Sequence, residues 1–299
     1  LKEKNASQLD KDYIAAVNWK KAEEYIAQGK FQEWPSEYYH NYYDDHTHMA
    51  TSTVKKGVKV LIPSECPGLV YYLPTPKSPH GVDVDPTGEF IVGSGKLSAD
   101  LTVHSFAKML AAIEAENFDE VIDGIPVLNF DAVAAGQVSS GGLGPLHTEF
   151  DGRGHGYTSF FISSEVVKWS LETFEVVDRI PAYYSIGHLS IPGGGSMKPW
   201  ENGKYLIAMN KITKDRYLPT GPEMAHSAQL YDISGDKMEL LLDFPTMGEP
   251  HYAQGIHASA IVDKQVKFFP LEDNNHPHKA LTQAETKVVR NGNEVHIYA

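Results

Sequence analysis

The sequence predicts an all-β chain, an incomplete β-propeller carrying two short peripheral helices, and three observations lead there. Polar turns containing glycine recur, each followed by an aromatic residue and then an apolar strand. The recurrence falls at intervals of roughly 40 to 70 residues, the size of four-stranded units. Four histidines, His80, His147, His188 and His251, stand just ahead of strand-like runs at blade-sized intervals.

The helices are read from apolar periodicity. In residues 19–28, Trp19, Ala22, Tyr25 and Ile26 share one face, and Gly29 supplies the stop. In residues 105–116, Phe106, Met109, Leu110 and Ile113 form a single stripe. The strand pattern begins at Asp85, Pro86, Thr87, Gly88 and Glu89, which lead into Phe90, Ile91 and Val92. It returns at Asp151, Gly152, Arg153, Gly154, His155, Gly156 and Tyr157, followed by a strand to Ile162. A third copy runs from Glu201 through Gly203 and Tyr205 to Ala208, and a fourth hairpin turns at residues 231–236 into a strand over 238–242. A β-sandwich with coincidental turns is the competing arrangement. About four blades of roughly 40 or more residues fit this length, a small ring, so further blades are expected upstream.

Residues 35–60 read as a long polar loop. The domain organisation expected is a partial propeller over 1–270, a linker over 271–286 containing Pro277, and a hairpin around Asn291 and Gly292 that opens a further domain over 287–299.

The formal net charge of −13 disfavours nucleic acid and anionic membrane as partners. No run of about 18 apolar residues is present, so no membrane span is predicted. The single cysteine, Cys66, rules out an internal disulfide framework and a cysteine-based zinc cluster. The sequence opens Leu1, Lys2, Glu3, Lys4 without Met or signal peptide, so it is expected to begin inside something longer.

Histidine is the outlier, with fourteen copies. His80 follows Ser78 and Pro79, His147 follows Gly144, Pro145 and Leu146, His188 follows Gly187, and His251 follows Glu249 and Pro250. The spacings are 147 − 80 = 67, 188 − 147 = 41 and 251 − 188 = 63. In a propeller the inner strand of every blade starts at the same rim of the channel, so one histidine at each start would surround the axis. Imidazoles converging there suit copper, zinc, iron or nickel.

With these motifs assembled the sequence resembles nitrous oxide reductase. The matching stretches are Ser78 to Gly81, the long block Gly142, Leu143, Gly144, Pro145, Leu146, His147, Thr148, Glu149, Phe150, Asp151, Gly152, Arg153, Gly154, the run from Lys214 to Pro222, Asp232 to Gly235, and Glu249, Pro250, His251. The resemblance implies the later blades of a seven-bladed propeller that holds a tetranuclear copper–sulfide cluster. It places His80, His147, His188 and His251 on copper ligands, and Lys211 and Glu249 on two charged residues at the substrate edge. The family's cluster takes seven histidines, and the other three belong to blades upstream. The resemblance also implies reduction of N2O by two electrons and two protons to N2 and water, as in denitrification. Alone, this stretch is expected to be inactive. A cupredoxin domain with a dinuclear copper centre is implied beyond the linker, with a cytochrome c or cupredoxin as electron donor. A homodimer and a periplasmic or exported location are implied as well. For calcium, Asp12 matches one ligand position, and Ser78 stands where many relatives have Asn. Between His188 and Lys211 the chain looks about two residues longer than the family pattern.

Other residues have plainer readings. His46 and His48, beside Asp44 and Asp45, sit in the loop, and His276 and His278 in the linker, all as solvated side chains. His155 reads as structural, Cys66 as a buried or idle thiol, and Tyr183 and Tyr184 as packing residues that could otherwise line the channel. Two alternatives stay open: a binding propeller whose histidines are structural, and a hydrolytic calcium propeller, which would instead place carboxylates at the strand starts.

Overall fold

The structure is a computed structural model that describes residues 11–34, 58–183, 185–194, 203–210, 226–246, 250–255, 289–291 and 294–296. The chain divides into two compact units, Leu1–Gly255 and Ile256–Ala299.

The first unit opens with β1 (Lys11–Val17), α1 (Trp19–Ala27), β2 (Gln32–Trp34) and β3 (Val58–Val60). A 3-10 turn at Pro63–Glu65 precedes β4 (Val70–Pro76), β5 (Pro79–Val84), β6 (Phe90–Gly95) and β7 (Asp100–Ser105). Then come α2 (Phe106–Glu114), β8 (Phe118–Ile122), β9 (Ile125–Leu128), α3 (Phe130–Val133) and β10 (Ala134–Ser139). Among the described residues the strands β11 (Pro145–Phe150), β12 (His155–Phe160), β13 (Glu165–Ser170), β14 (Val176–Pro181), β15 (Ile186–Ser190), β16 (Tyr205–Asn210), β17 (Ser227–Asp232) and β18 (Glu239–Pro245) follow.

All of these strands but β2 and β3 form four four-stranded sheets, and the fold is all-β and propeller-like. Two sheets are plain antiparallel meanders, β11-β12-β13-β14 and β15-β16-β17-β18. A third, β10-β7-β6-β5, is interrupted between β7 and β10 by an excursion through α2, β8, β9 and α3. That excursion completes the fourth sheet, β1-β4-β9-β8, in which β4 and β9 are the parallel pair, joined at Tyr72 and Val127. Interleaving of this kind leaves no periodic mark in the sequence, so the recurring turn pattern does not show it.

The sequence-read helices sit within a residue or two of their expected ends. Asn18 caps α1, its side chain accepting from the Lys21 N–H, and Gly29 beyond the C-terminus takes φ 74°. Ser105 caps α2 by accepting from the Lys108 N–H and also bonds the Glu89 carboxylate. Replacing Ser105 by Ala is expected to cost about 1 kcal/mol, read as a shift in the urea midpoint; no shift would mean that the cap is idle. The one-turn α3 was not expected. Nor was β3, which pairs with β2 and removes residues 58–60 from the expected loop; residues 35–57, with His46 and His48, lie outside the described residues.

The turns work as their residues suggest. The Asp85 carboxylate accepts from the N–H groups of Thr87 and Phe90, closing the reversal into β6. Asp151 does the same into β12, accepting from Arg153 N–H and Tyr157 O–H. The sheets stack through apolar faces. Val92, Leu101, Phe150, Phe160 and Trp169 fill one interface, and Tyr157, Ile186, Leu189, Leu206 and Tyr231 the next. As a result the first strands lie side by side, with β11 between β5 and β15.

In the second unit, β19 (Val289–Asn291) and β20 (Glu294–His296) pair antiparallel as the expected hairpin. The linker and the boundary at residue 270 lie outside the described residues. Among the described residues no helix is long and apolar enough to cross a membrane.

Candidate metal centre

Three of the four sequence-selected histidines occupy equivalent places. His80 is the second residue of β5, and His147 and His188 are the third residues of β11 and β15. Each lies in a bulge. From Pro79 to Gly81 the chain advances two residues while its partner advances one, from Gly95 to Ser94. From Pro145 to Thr148 it advances three against two, and from Ile186 to Leu189 again three against two. One extra residue in the same place on three inner strands turns the side chain out of the alternating pleat. Glycine and proline beside each histidine were the only trace of this in the sequence.

The bulges bring the rings together. The centroids of His80 and His147 are 5.0 Å apart, those of His147 and His188 3.7 Å apart and stacked, and those of His188 and His251 5.0 Å apart. Tyr252 lies edge-on to His188 at 5.2 Å. His147 and His188 are half-buried, while His80 and His251 are exposed. The approach depends on Gly81, where a Cβ would overlap the Leu146 carbonyl oxygen. Only glycine lets β5 and β11 come so close beside the first ring pair.

The donor set is chemically suited to copper, being imidazole-rich and contributed by separate strands. Among the described residues, no group of three His, Cys, Asp or Glu side chains is arranged to hold one ion. Lys211 and Glu249 lie outside the described residues.

Two acids that the sequence reading passed over sit beside the histidines. Asp83 on β5 is half-buried, and the loss of water around its carboxyl pushes it up to about 7, while the Thr148 N–H opposes the rise. Glu149 on β11 is pushed up to about 8 by burial and then by the charge of Asp83, with the Ile191 N–H opposing. Their signal was position, three residues after His80 and two after His147.

Asp12, the calcium expectation, accepts from the Ser78 N–H at 2.8 Å, so the two residues matched to that site are neighbours. Ser78 holds φ 57°. His155 Nδ1 lies 3.1 Å from Asp151 within the turn into β12, a structural contact. Cys66 is buried with Tyr25 and Leu69. Tyr183 is 47% exposed and so does not pack as expected; Tyr184 lies outside the described residues.

The family model for the nitrous oxide reductase propeller repeat matches residues 179–251. Nitrous-oxide reductases of Ralstonia nicotianae and Cupriavidus necator are each 37% identical over 238 residues, covering 76% of this chain and 34% of theirs. That of Stutzerimonas stutzeri is 35% identical over 250 residues, 76% of this chain and 36% of its own. The chain therefore spans about a third of the length of these relatives. A chain from the crystal structure of the mitotic checkpoint complex aligns at TM-score 0.41 and 9% identity over 60% of this chain and 43% of that one, a likeness that carries no argument. Over three quarters of its length the chain is thus similar to about a third of these nitrous-oxide reductases, and within that stretch it carries their propeller repeat.

Proposed function

We propose that His80, His147, His188 and His251 are copper ligands of a multinuclear centre, and that the whole protein reduces N2O to N2 and water. The observation that carries this reading is the convergence of four imidazoles through three equivalent bulges. Structural histidines have no reason to repeat a bulge from sheet to sheet. A tetranuclear cluster with seven imidazoles needs only one or two per copper, so three donors around a single point are not required of these residues.

In this reading copper supplies the electrons that a poor electrophile such as N2O demands. The protein's own groups supply the rest. Lys211 donates a hydrogen bond and then a proton to the leaving oxygen, and Glu249 relays or tunes that proton. The inner strands orient the imidazoles, and the apolar interfaces behind them keep the rim rigid. Asp12 with Ser78 forms part of a calcium site. A dinuclear copper centre, a cytochrome c or cupredoxin donor, a homodimer and an exported location belong to the same proposal for the whole protein.

The second reading, a binding propeller with structural histidines, draws on the face-to-face stack of His147 and His188. Copper titration of the chain, followed by electron paramagnetic resonance, decides between them. The expected result is copper with imidazole nitrogen couplings, weakened at least about tenfold by His147→Ala and unchanged by His155→Ala, since one lost ligand is worth a large share of a copper site. Equal effects of both substitutions, or no uptake, would sink the copper reading.

A further inference from the structure

Three strands in succession, β1, β5 and β11, each carry an acid that reaches forward to the next sheet. Asp12 of β1 accepts from the Ser78 N–H, just ahead of β5. Asp83 of β5 accepts from the Thr148 N–H of β11 at 2.7 Å. Glu149 of β11 reaches the turn after β15, where the Ile191 N–H favours its ionised form. There its Oε2 fills the space that a Cβ on Gly194 would need. Three consecutive sheet boundaries are therefore crossed by a carboxylate in the same direction.

The recipients sit beside the histidines. Ser78 is two residues before His80, Thr148 one after His147 and Ile191 three after His188. A bulge leaves backbone groups outside the strand ladder, and such groups need another partner when buried. Asp83 supplies one at Thr148, where the β11 bulge ends, while Ser78 lies just before the β5 bulge and Ile191 two residues past that of β15. Adjacent β-sheets otherwise meet through apolar side chains, which fix the distance between sheets well and the sliding of one strand along another poorly. A hydrogen bond to a defined backbone N–H fixes that sliding.

We propose that Asp83 and Glu149 are positioning residues, setting the register between neighbouring inner strands so that the imidazole of His147 meets those of His80 and His188. This rests on reading the histidines as one site. Asp12 is left aside because the family resemblance assigns it a metal.

The test uses the full chain with labelled histidines, without added metal. Two quantities are read: proton contacts among the imidazole rings by nuclear magnetic resonance, and amide hydrogen exchange at Thr148 and Ile191. Asp83→Ala is expected to remove the His80–His147 contact and to speed Thr148 exchange at least about tenfold, while Asp83→Asn, which keeps an acceptor oxygen, restores both. Glu149→Ala is expected to act on the His147–His188 contact and on Ile191. If the Ala variants keep the ring contacts and the protection, the proposal fails. Should an Ala variant not fold, the unaltered chain still decides: slow exchange at Thr148 supports the bond, and exchange at the rate of a free amide overturns it. Adding copper to the same sample separates the two readings. Failure to bind copper with the ring contacts intact and dependent on Asp83 removes the copper reading and leaves this one standing.

Discussion

Gly81→Ala is expected to lower stability by about 3 kcal/mol and to pull the His80 and His147 rings apart. The added methyl meets the Leu146 carbonyl, which belongs to the backbone of β11 and cannot rotate away as a side chain would. Overpacking against a fixed strand lies at the upper end of the usual cost of about 1–3 kcal/mol. Relief requires β5 to move away from β11, which breaks the Asp83–Thr148 bond and widens the 5.0 Å ring pair. Gly235→Ala is the control. Gly235 lies in the turn from β17 to β18, its added Cβ would find its nearest neighbour 3.9 Å away, and the expected change is within about 0.5 kcal/mol. Urea unfolding of the two variants, with copper uptake measured beside it, checks the prediction. Equal stability of the two would show that β5 and β11 are less tightly apposed than described.

The second large effect is a fall in stability with rising pH in the copper-free chain. Asp83 and Glu149 have folded-state values of about 7 and about 8, above ordinary values of 3.8 and 4.5. Between roughly pH 4 and pH 8 these two groups therefore hold more protons in the folded chain than in the unfolded one, and their contribution to stability declines as pH rises; His104, pushed down to about 4 by burial, opposes this only below its ordinary 6.5. The contribution of the pair is fully present below the unfolded values and is lost once pH passes the folded ones. Each unit of elevation corresponds to about 1.4 kcal/mol, so the decline amounts to several kcal/mol. Asp83→Asn removes one of the two slopes and keeps the acceptor for the Thr148 N–H. It is expected to be more stable than the unaltered chain at pH 8.5 and no more stable at pH 4, because it has no charge to bury. Urea midpoints at pH 4, 5.5, 7 and 8.5 give the comparison. A difference between the two proteins that does not vary with pH would show that Asp83 titrates as an ordinary carboxylate.

Local features were legible from residues alone. Asp85 and Asp151 could be seen to close turns because an aspartate ahead of glycine bonds its own backbone a few residues on. Helices α1 and α2 could be seen from apolar spacing, and α1 also from its stop at Gly29. The four histidines stood out because each had glycine or proline within two residues and a strand-like run of residues after it. Asp83 and Glu149 were not legible, since an acid inside an alternating strand reads as solvent-facing. Whether such a residue is solvated or buried depends on the neighbouring sheet, which the strand's own residues do not reveal. The pairing of β4 with β9 was hidden for a similar reason, as it joins segments more than fifty residues apart.

By itself the sequence determined the strands that follow the recurring turns, where the chain reverses there, which histidines share a context and which proteins the chain resembles. These follow from short-range physics: turn chemistry, side-chain periodicity and the ordered motifs those patterns carry. Only the tertiary structure decided that three histidines sit in equivalent bulges, that Gly81 lets two backbones nearly touch, and that acids on one sheet hold the backbone of the next. Each of these concerns strand register across a sheet boundary. Register is set by contacts between residues remote in the chain, and a slip of one residue would turn the same side chains to the opposite face.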